Sequence, residues 1–336
     1  MQKQYTILGY LPKKSEGWIL QFIFKDISHA SSRPHSYFLA SSILELFDYL
    51  SLYDSAFILI LPMHQSFVRD VLRIGVPHSS ITCYYTHVFS KRTYVSDVKR
   101  CSRVLVLNKH IRSSMIKQNV DANSLFLFPA GYSSDLFSFP SFCTTQREFD
   151  FVYVGRFVDS SSSSSYYTRK NFNYLFSLLE NLSKKGHKLA ILGKDWSSCT
   201  NLPTGISILE VDHKKYPEIY QNCKICLNVS IVEGGPVSWL EAMASGCFTI
   251  SMSTGFPSDH ISGQYGSWHL NPLTPVTEFV SLSLFVLGIF NSLDIVRYSE
   301  IMRSRREILN KSDFSSLATT VEQPFFDSIS DNCHLN

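Results

Sequence analysis

Two acidic residues, Glu233 and Glu241, enclose a short glycine-containing stretch that could bind an anion. Gly234 and Gly235 carry no side chains, so a ligand can approach their backbone N–H groups closely. Pro236 suits the first position of a helix, and the positive end of that helix would point at the same place. Glu241 falls inside the helix among apolar neighbours, where a buried carboxylate needs donors such as sugar or ribose hydroxyls. These residue types therefore predict an anion site with a carboxylate beside it.

The elements on either side would place this stretch at the edge of a sheet. Residues 225–232 are apolar and rich in β-branched side chains, which predicts a buried strand that ends at Glu233. Residues 236–245 predict a helix, and Gly246 suits the left-handed residue just past its end. A second interpretation stays open on spacing alone, in which Glu241 points to solvent and Glu233 is an ordinary loop acid.

The wider segment from Tyr220 to Gly246 resembles the donor-binding segment of retaining glycosyltransferases of family 4, which have the GT-B fold. It carries the acid-x7-acid motif of that family, followed by a helix of small residues. The resemblance implies that Glu233 lies beside the transferred sugar and that Glu241 binds the nucleotide ribose. It also implies that the donor is bound by Gly234, Gly235, Pro236 and Val237.

Basic residues upstream fit the same family. A predicted strand ends in Gly155, Arg156 follows it, and the serines at 160–165 predict a flexible polar loop before a helix that Arg169 and Lys170 open. The family places an Arg and a Lys at these points on the donor diphosphate. Arg156 and Lys170 match, and Arg169 is the alternative to Lys170. Such fixed cations would stabilise the negative charge on a diphosphate leaving group.

A further predicted strand, residues 189–193, ends in Gly193 and is followed by Lys194. In the family this turn lies near the nucleotide. The resemblance therefore implies that Gly193 and Lys194 lie beside the base or the phosphates. It also implies that Gly155, at the end of the strand before Arg156, takes part in donor binding.

The first half of the chain alternates predicted strands with helical stretches, which predicts a parallel sheet with ligands at the carboxyl ends of its strands. The strands are 5–10, 56–61, 81–85, 103–107 and 125–128, and the helical stretches include 36–50 and 66–74. Gly17, after the first strand, is a candidate for an acceptor-side phosphate contact, although the Gly-Gly loop of many family 4 enzymes is absent. His87, after the third strand, could hydrogen-bond a sugar hydroxyl or move a proton. A structural or surface histidine is the other interpretation.

The sequence thus predicts an α/β protein of GT-B type, with two Rossmann-like, doubly wound domains that face a deep cleft. Residues 1–147 would form the acceptor-binding domain, with a linker from residue 132, and residues 148–315 the nucleotide-sugar-binding domain. Residues 316–336 would be a tail that returns toward the first domain, because the last helix of this fold commonly crosses back to it. The end of this tail would be frayed.

Charge is unevenly distributed along the 336 residues. Residues 1–147 carry 16 Lys and Arg against 9 Asp and Glu, whereas residues 148–336 carry 15 against 19. The basic stretch between Lys91 and Lys117 suits attraction to an anionic membrane or a lipid-phosphate acceptor, and a solvated helix surface explains it equally well. Base-stacking aromatic residues are not interleaved with these basic residues, so nucleic acid is not an expected partner.

The N-terminus predicts a first strand rather than a signal peptide. The longest apolar run is too short to span a membrane. We therefore expect a cytoplasmic protein that is peripheral on the inner face of the membrane. The eight cysteines follow no disulfide framework. Cys223 and Cys226 form a C-x-x-C, but no second pair or His cluster completes a zinc site, so we interpret them as small core residues. No metal or cofactor is expected.

The function predicted from these residues is retaining, metal-independent transfer of a sugar from a nucleotide-diphosphate donor to a glycan or lipid-linked acceptor, in polysaccharide or lipopolysaccharide synthesis. One alternative is a non-catalytic sugar-nucleotide-binding partner of another transferase. Another is a GT-B enzyme of a different reaction, such as an epimerase or a phosphorylase.

Overall fold

The computed structural model describes residues 5–11, 19–31, 37–52, 55–60, 65–85, 93–140 and 147–333. The chain forms two compact units. The first comprises Met1–Gly131 together with Lys311–Asn336, and the second comprises Tyr132–Asn310. Each contains a parallel sheet with helical crossovers, so the predicted α/β fold with two Rossmann-like domains is confirmed.

The boundary between the units lies earlier in the chain than the predicted one after residue 147. The segment 132–147, interpreted as a linker, belongs to the second unit. Phe137 within it packs against the rings of His213 and Tyr220, at centroid distances of 5.4 and 6.1 Å. The returning tail also begins earlier, at Lys311. Ring packing of this kind gives no local sequence signal, which explains the difference.

The first unit is built from strands and helices that alternate along the chain. These elements are β1 (Tyr5–Tyr10), α1 (Ile19–Ala30), β2 (Tyr37–Ala40), α2 (Ile43–Leu50), β3 (Ser55–Ile60), α3 (Gln65–Arg73), β4 (Ile81–Tyr85), α4 (Thr93–Val98), β5 (Arg103–Val106), α5 (Lys109–Lys117) and β6 (Leu125–Leu127). In the described residues the sheet has the order β2-β1-β3-β4-β5-β6, and the paired strands are parallel.

Strand β2 lies where the sequence predicted the start of a helix over 36–50. The helix begins only at Ile43, because Ser42 forms its N-cap. The Ser42 hydroxyl accepts a hydrogen bond from the Glu45 N–H (3.1 Å). The Glu45 carboxylate in turn accepts from the Ser41 N–H (2.8 Å), much as in a capping box.

The second unit repeats this arrangement. Its elements are β7 (Phe149–Val154), α6 (Ser164–Lys170), α7 (Phe172–Lys184), β8 (Leu189–Leu192), β9 (Ile206–Leu209), α8 (Tyr216–Gln221), β10 (Cys223–Asn228), α9 (Val237–Ala244), β11 (Phe248–Met252), β12 (Ser267–Leu270), α10 (Val276–Asn291) and α11 (Ile295–Ser312), and α12 (Phe314–Cys333) follows. The described strands pair in the order β12-β11-β10-β7-β8-β9. The order reverses between β7 and β10, and such a switch point is where open α/β sheets bind ligands beyond the strands' carboxyl ends.

Helix α12 belongs to the first unit and packs against α1. A Cβ on Gly131 would lie 2.1 Å from the Phe314 ring, so glycine allows this close approach. The buried Glu322 carboxylate accepts hydrogen bonds from the hydroxyls of Tyr37 (2.8 Å) and Ser31. The predicted return of the last helix to the first domain is therefore confirmed.

Helices α10 and α11 pack in the second unit. Arg305 on α11 is fully buried and donates to the carbonyls of Tyr265 (2.6 Å) and Met243 (3.0 Å), the latter in the last turn of α9. Burial lowers the pKa of Arg305 to about 10. Within the described ranges no single helix combines the length and apolar composition to cross a membrane, and α10 and α11 pass that test only as a pair, bent by 117°.

Candidate active site

The loop between β10 and α9 carries Glu233 and is fixed by a neighbouring loop. The Phe256 N–H donates to the Gly234 carbonyl (3.0 Å). Gly255 has a φ of 67°, and a Cβ on it would lie 2.8 Å from the carbonyl oxygens of both Glu233 and Gly234. Gly234 is buried, and three further predicted donor residues are partly exposed, namely Gly235, Pro236 and Val237.

The strand and helix around this loop differ slightly from the prediction. Strand β10 ends at Asn228, because the Asn228 side chain accepts from the Ser230 N–H (3.1 Å) and turns the chain. Glu233 therefore lies within the loop and not directly at the strand end. Pro236 is the N-cap residue of α9 rather than its first helical residue. Gly246 has a φ of 85°, so its predicted left-handed conformation is confirmed.

The Glu233 carboxylate is paired with two cations. Arg169 Nη1 lies 3.3 Å from its Oε2, and the Lys170 ammonium is hydrogen-bonded to its Oε1. The Glu233 side chain is only 8% exposed, so water screens these pairs weakly. Burial alone would raise the pKa of Glu233, but attraction to Lys170 and Arg169 outweighs burial and holds the pKa below its ordinary value. Glu233 is therefore ionised at neutral pH.

Main-chain and side-chain hydrogen bonds tie the end of α6 to the same loop. The Ile231 N–H donates to the Arg169 carbonyl (3.0 Å), and Asn171 Nδ2 donates to the Val229 carbonyl (3.3 Å). Asn171 is left-handed, with a φ of 58°, a conformation that asparagine tolerates better than most residues. It separates α6 from α7 and leaves both cations beside the loop.

The segment before these cations differs from the predicted flexible loop over 160–165. The Ser163 hydroxyl accepts from the Tyr166 N–H (3.4 Å) and caps α6, since serine is among the preferred N-cap residues. Arg169 and Lys170 therefore end α6 instead of opening the next helix. Cations in the last turn interact favourably with the helix dipole.

Glu241 is buried in α9, with its side chain 5% exposed, so the interpretation that it points to solvent is wrong. The Tyr220 hydroxyl donates to its Oε2 (3.1 Å), and His213 Nε2 lies 2.7 Å from its Oε1. Tyr220 and His213 thus supply hydrogen bonds that we expected from the sugar or ribose hydroxyls of a ligand. The His213 ring is 53% exposed and packs against Tyr216 at 4.9 Å, so it lies between the buried carboxylate and solvent.

Sequence reasoning missed His213 and Tyr166 as members of this site. His213 follows β9 at its carboxyl end, the expected ligand edge of a parallel sheet, and that position was the available signal. The Tyr166 ring lies beneath both cations, 5.1 Å from the guanidinium carbon of Arg169 and 5.9 Å from the Lys170 nitrogen. Nothing in the local pattern indicated that contact.

The ends of β7 and β8 meet through two glycines. Gly193 has a φ of 149°, and a Cβ on it would lie 2.1 Å from the Gly155 carbonyl oxygen. The indole of Trp196 donates to that same carbonyl (2.6 Å). This contact requires glycine at position 193 and fixes the turn that the sequence predicted near the nucleotide.

Arg156 lies on this edge but pairs with a different acid. Its Nε is 2.5 Å from Asp195 Oδ2, and the two side chains are 66% and 47% exposed. Lys194 is exposed as well. In the part of the chain that the structure describes, Lys170 contacts Glu233 and Arg156 does not.

Two predicted site residues, Gly17 and His87, lie outside the described residues. Cys223 and Cys226 are buried in β10, and burial raises the pKa of both thiols, as expected of core residues. Among the residues described, no three His, Cys, Asp or Glu side chains converge to hold a metal ion. Chemistry without a metal or cofactor stays a prediction.

Comparison with known proteins gives a family match within the second unit. Residues 147–270, which include Glu233, Glu241, Arg156 and Lys170, match the family model described as glycosyl transferases group 1. A search of the curated proteins gives no match.

Several solved structures share the fold. HepE of Anabaena, in complex with UDP and glucose, is 11% identical with a TM-score of 0.71, covering 96% of this chain and 100% of its own. A glycosyltransferase from Rickettsia africae is 12% identical with a TM-score of 0.72, covering 98% and 99%. The lipopolysaccharide outer core galactosyltransferase WaaB, in its apo form, is 13% identical with a TM-score of 0.67, covering 96% and 99%.

The two parallel sheets and these similar structures define the GT-B fold of glycosyltransferases. The match of residues 147–270 to the glycosyl transferases group 1 model confirms the predicted resemblance to glycosyltransferases. The assignment of the chain to retaining family 4 stays a prediction.

Proposed function

We propose that the protein is a retaining glycosyltransferase that moves a sugar from a nucleotide-diphosphate donor to a glycan or lipid-linked acceptor. The observation that carries this proposal is the buried Glu233 carboxylate, held between two cations beyond the carboxyl end of β10. That position lies beside the strand-order reversal, where nucleotides bind in open α/β sheets. The group 1 family match over the same residues supports it, and so does the presence of UDP in the HepE structure.

The donor diphosphate would be bound by cations of the second unit. Lys170 and Arg156 supply positive charge, and the backbone amides at Gly234 and Gly235 precede the positive end of α9. Negative charge gathers on the diphosphate as the glycosidic bond breaks. Cations and dipoles that are already in place stabilise this charge without reorganising, so the reaction would need no metal ion.

Glu233 would orient the transferred sugar and stabilise positive charge at its anomeric carbon. The lowered pKa of Glu233 keeps the carboxylate ionised for this role. The bond from the anomeric carbon to the diphosphate breaks on the face where the acceptor oxygen adds, and the leaving phosphate takes the acceptor's proton. Configuration is then retained without a protein nucleophile.

Glu241 would hold the ribose of the donor. Each of its oxygens has a protein partner, His213 or Tyr220. Because each carboxylate oxygen can accept more than one hydrogen bond, ribose hydroxyls can add to these partners without displacing them.

The acceptor would belong to cell-surface polysaccharide or lipopolysaccharide synthesis. Similarity to a lipopolysaccharide galactosyltransferase supports this class. The basic stretch supports a cytoplasmic enzyme that is peripheral on an anionic inner membrane face. Within that stretch Lys109 and Lys117 are exposed, whereas Arg112 donates to the Leu125 carbonyl (3.3 Å).

A non-catalytic sugar-nucleotide-binding protein is the second candidate, because both carboxylates are already bonded to protein groups. A screen of UDP-, GDP- and ADP-sugars, with EDTA present and nucleotide release followed by mass spectrometry, separates the two. The proposal predicts release of one nucleotide in EDTA and its loss in Glu233→Gln. Binding without release by the wild-type protein would support the second candidate, and neither binding nor release would contradict both.

A further inference from the structure

The two cations on Glu233 are anchored differently. Within the described residues the Lys170 ammonium has one hydrogen-bond acceptor, Glu233 Oε1. Arg169 Nη1 contacts Glu233 Oε2 (3.3 Å) and the Val232 carbonyl (3.2 Å). The Arg169 guanidinium is also the closer of the two cations to the Tyr166 ring. Arg169 therefore loses more contacts than Lys170 if it leaves Glu233.

The backbone of Arg169 strengthens this difference. Its carbonyl accepts from the Ile231 N–H (3.0 Å), in the same loop that carries Glu233. A planar guanidinium that bridges a carboxylate and a carbonyl is held in one orientation, whereas an ammonium on a flexible stem can turn to another anion. The geometry thus separates a fixed cation from a transferable one.

We propose, resting on the function above, that Arg169 is a positioning residue that holds the Glu233 carboxylate in its orientation. Lys170 meanwhile leaves Glu233 and binds the donor diphosphate. The exchange frees Glu233 Oε1 to accept a hydrogen bond from the donor sugar. Binding of the diphosphate by Lys170 and release of Glu233 Oε1 for the sugar would then occur together. Arg169 would hold Oε2 throughout.

Electrostatics explain why a fixed cation is needed. The ionisable groups that interact with Glu233 include Lys170 and Arg169 from α6 and the buried Tyr153 phenol from β7. Burial raises the pKa of Tyr153, with a contribution from Glu233, so the phenol stays neutral. Once Lys170 has turned to the diphosphate, Arg169 is the cation among these groups that keeps Glu233 ionised.

Kinetics and binding separate the two roles. Arg169→Met should lower kcat about 10-fold or more but change the dissociation constants of UDP, GDP and ADP less than about threefold. Arg169→Lys should restore part of kcat. Lys170→Met should weaken binding of the preferred nucleotide about 10-fold or more. Equal weakening of nucleotide binding by Arg169→Met and Lys170→Met would overturn the proposal, because Arg169 would then be a diphosphate ligand itself.

A titration of Glu233 tests the positioning role without any turnover. The carboxyl carbon of Glu233, labelled with ¹³C and assigned with Glu233→Gln, can be followed by NMR against pH. Its midpoint should move to higher pH in Arg169→Met and return toward the wild-type value in Arg169→Lys. The acid limb of kcat should move the same way. An unchanged midpoint in Arg169→Met would overturn the proposal, whether or not the wild-type protein releases nucleotide in the donor screen.

Discussion

Two carboxylates on either side of one helix N-terminus are stabilised in different ways. Glu233 lies in the loop before α9 between Arg169 and Lys170, whereas Glu241 lies inside α9 and is bonded to Tyr220 and His213. Both side chains are almost fully buried, at 8% and 5% exposure. The difference therefore comes from their partners and not from their burial.

This contrast indicates a division of roles. Ion pairs place positive charge beside Glu233, at the point where the proposed reaction separates charge. Hydrogen bonds fix the orientation of Glu241 and leave its oxygens able to accept further bonds. Glu233 should therefore act on turnover, and Glu241 on nucleotide binding.

Glu233→Gln should have the largest effect. It keeps the shape of the side chain but removes the negative charge that we propose lies beside the anomeric carbon, so we expect kcat to fall about 100-fold or more. Nucleotide affinity should change only a few-fold. Transfer kinetics and calorimetric titration measure the two quantities, and Glu180→Gln, at an exposed residue of α7, is a matched control. Unchanged kcat would remove Glu233 from the mechanism.

Glu241→Gln should affect donor binding and not turnover. One carboxylate oxygen becomes an amide donor, so the proposed ribose contact would be weakened and KM for the donor should rise about 10-fold. The value of kcat should change little. A fall in kcat at unchanged KM would mean that the roles of the two acids are reversed.

The pH dependence of stability should test the charge stabilisation of Glu233. The folded-state pKa of Glu233 lies below its ordinary value of 4.5. The stability from its ion pairs is therefore fully present above about pH 4.5 and is lost as the pH falls through the folded-state pKa. Urea unfolding between pH 7 and pH 3 should show a smaller acid-induced loss for Glu233→Gln than for the wild type. Equal losses would mean that Glu233 is not charge-stabilised.

Tyr220→Phe should have the smallest effect. It removes one hydrogen bond to Glu241 and should lower the free energy of unfolding by about 1 kcal/mol. KM for the donor should stay within about twofold, because His213 still holds the carboxylate. A change in KM as large as that of Glu241→Gln would show that Tyr220 and not the carboxylate sets the binding geometry.

The residues of the site that could be predicted belong to local patterns. Glu233, Gly234 and Gly246 follow from one strand, loop and helix, and Lys170 follows from family resemblance at the next crossover. Strand identity in both sheets was predictable for the long apolar runs. Strand β2 was missed because its residues lie in a stretch whose periodicity predicted a helix over 36–50. Strand β12 was also missed, although β5 and β8 are equally short and were predicted.

The pairings could not be predicted, because they join residues far apart in sequence. Lys170 and Glu233 are 63 positions apart, and His213 and Glu241 are 28 apart. Local capping also determines the structure of the segment before Lys170. There the serine run, which predicted a flexible loop, begins a helix. Neither effect appears in hydrophobic periodicity.

The most direct test of the donor site is a crystal structure of the protein with UDP, GDP or ADP, whichever binds in the donor screen. We predict the diphosphate beside Lys170, the ribose hydroxyls within hydrogen-bond distance of Glu241, and Arg169 still paired with Glu233. A nucleotide bound away from the loop between β10 and α9, with Lys170 still on Glu233, would contradict the account.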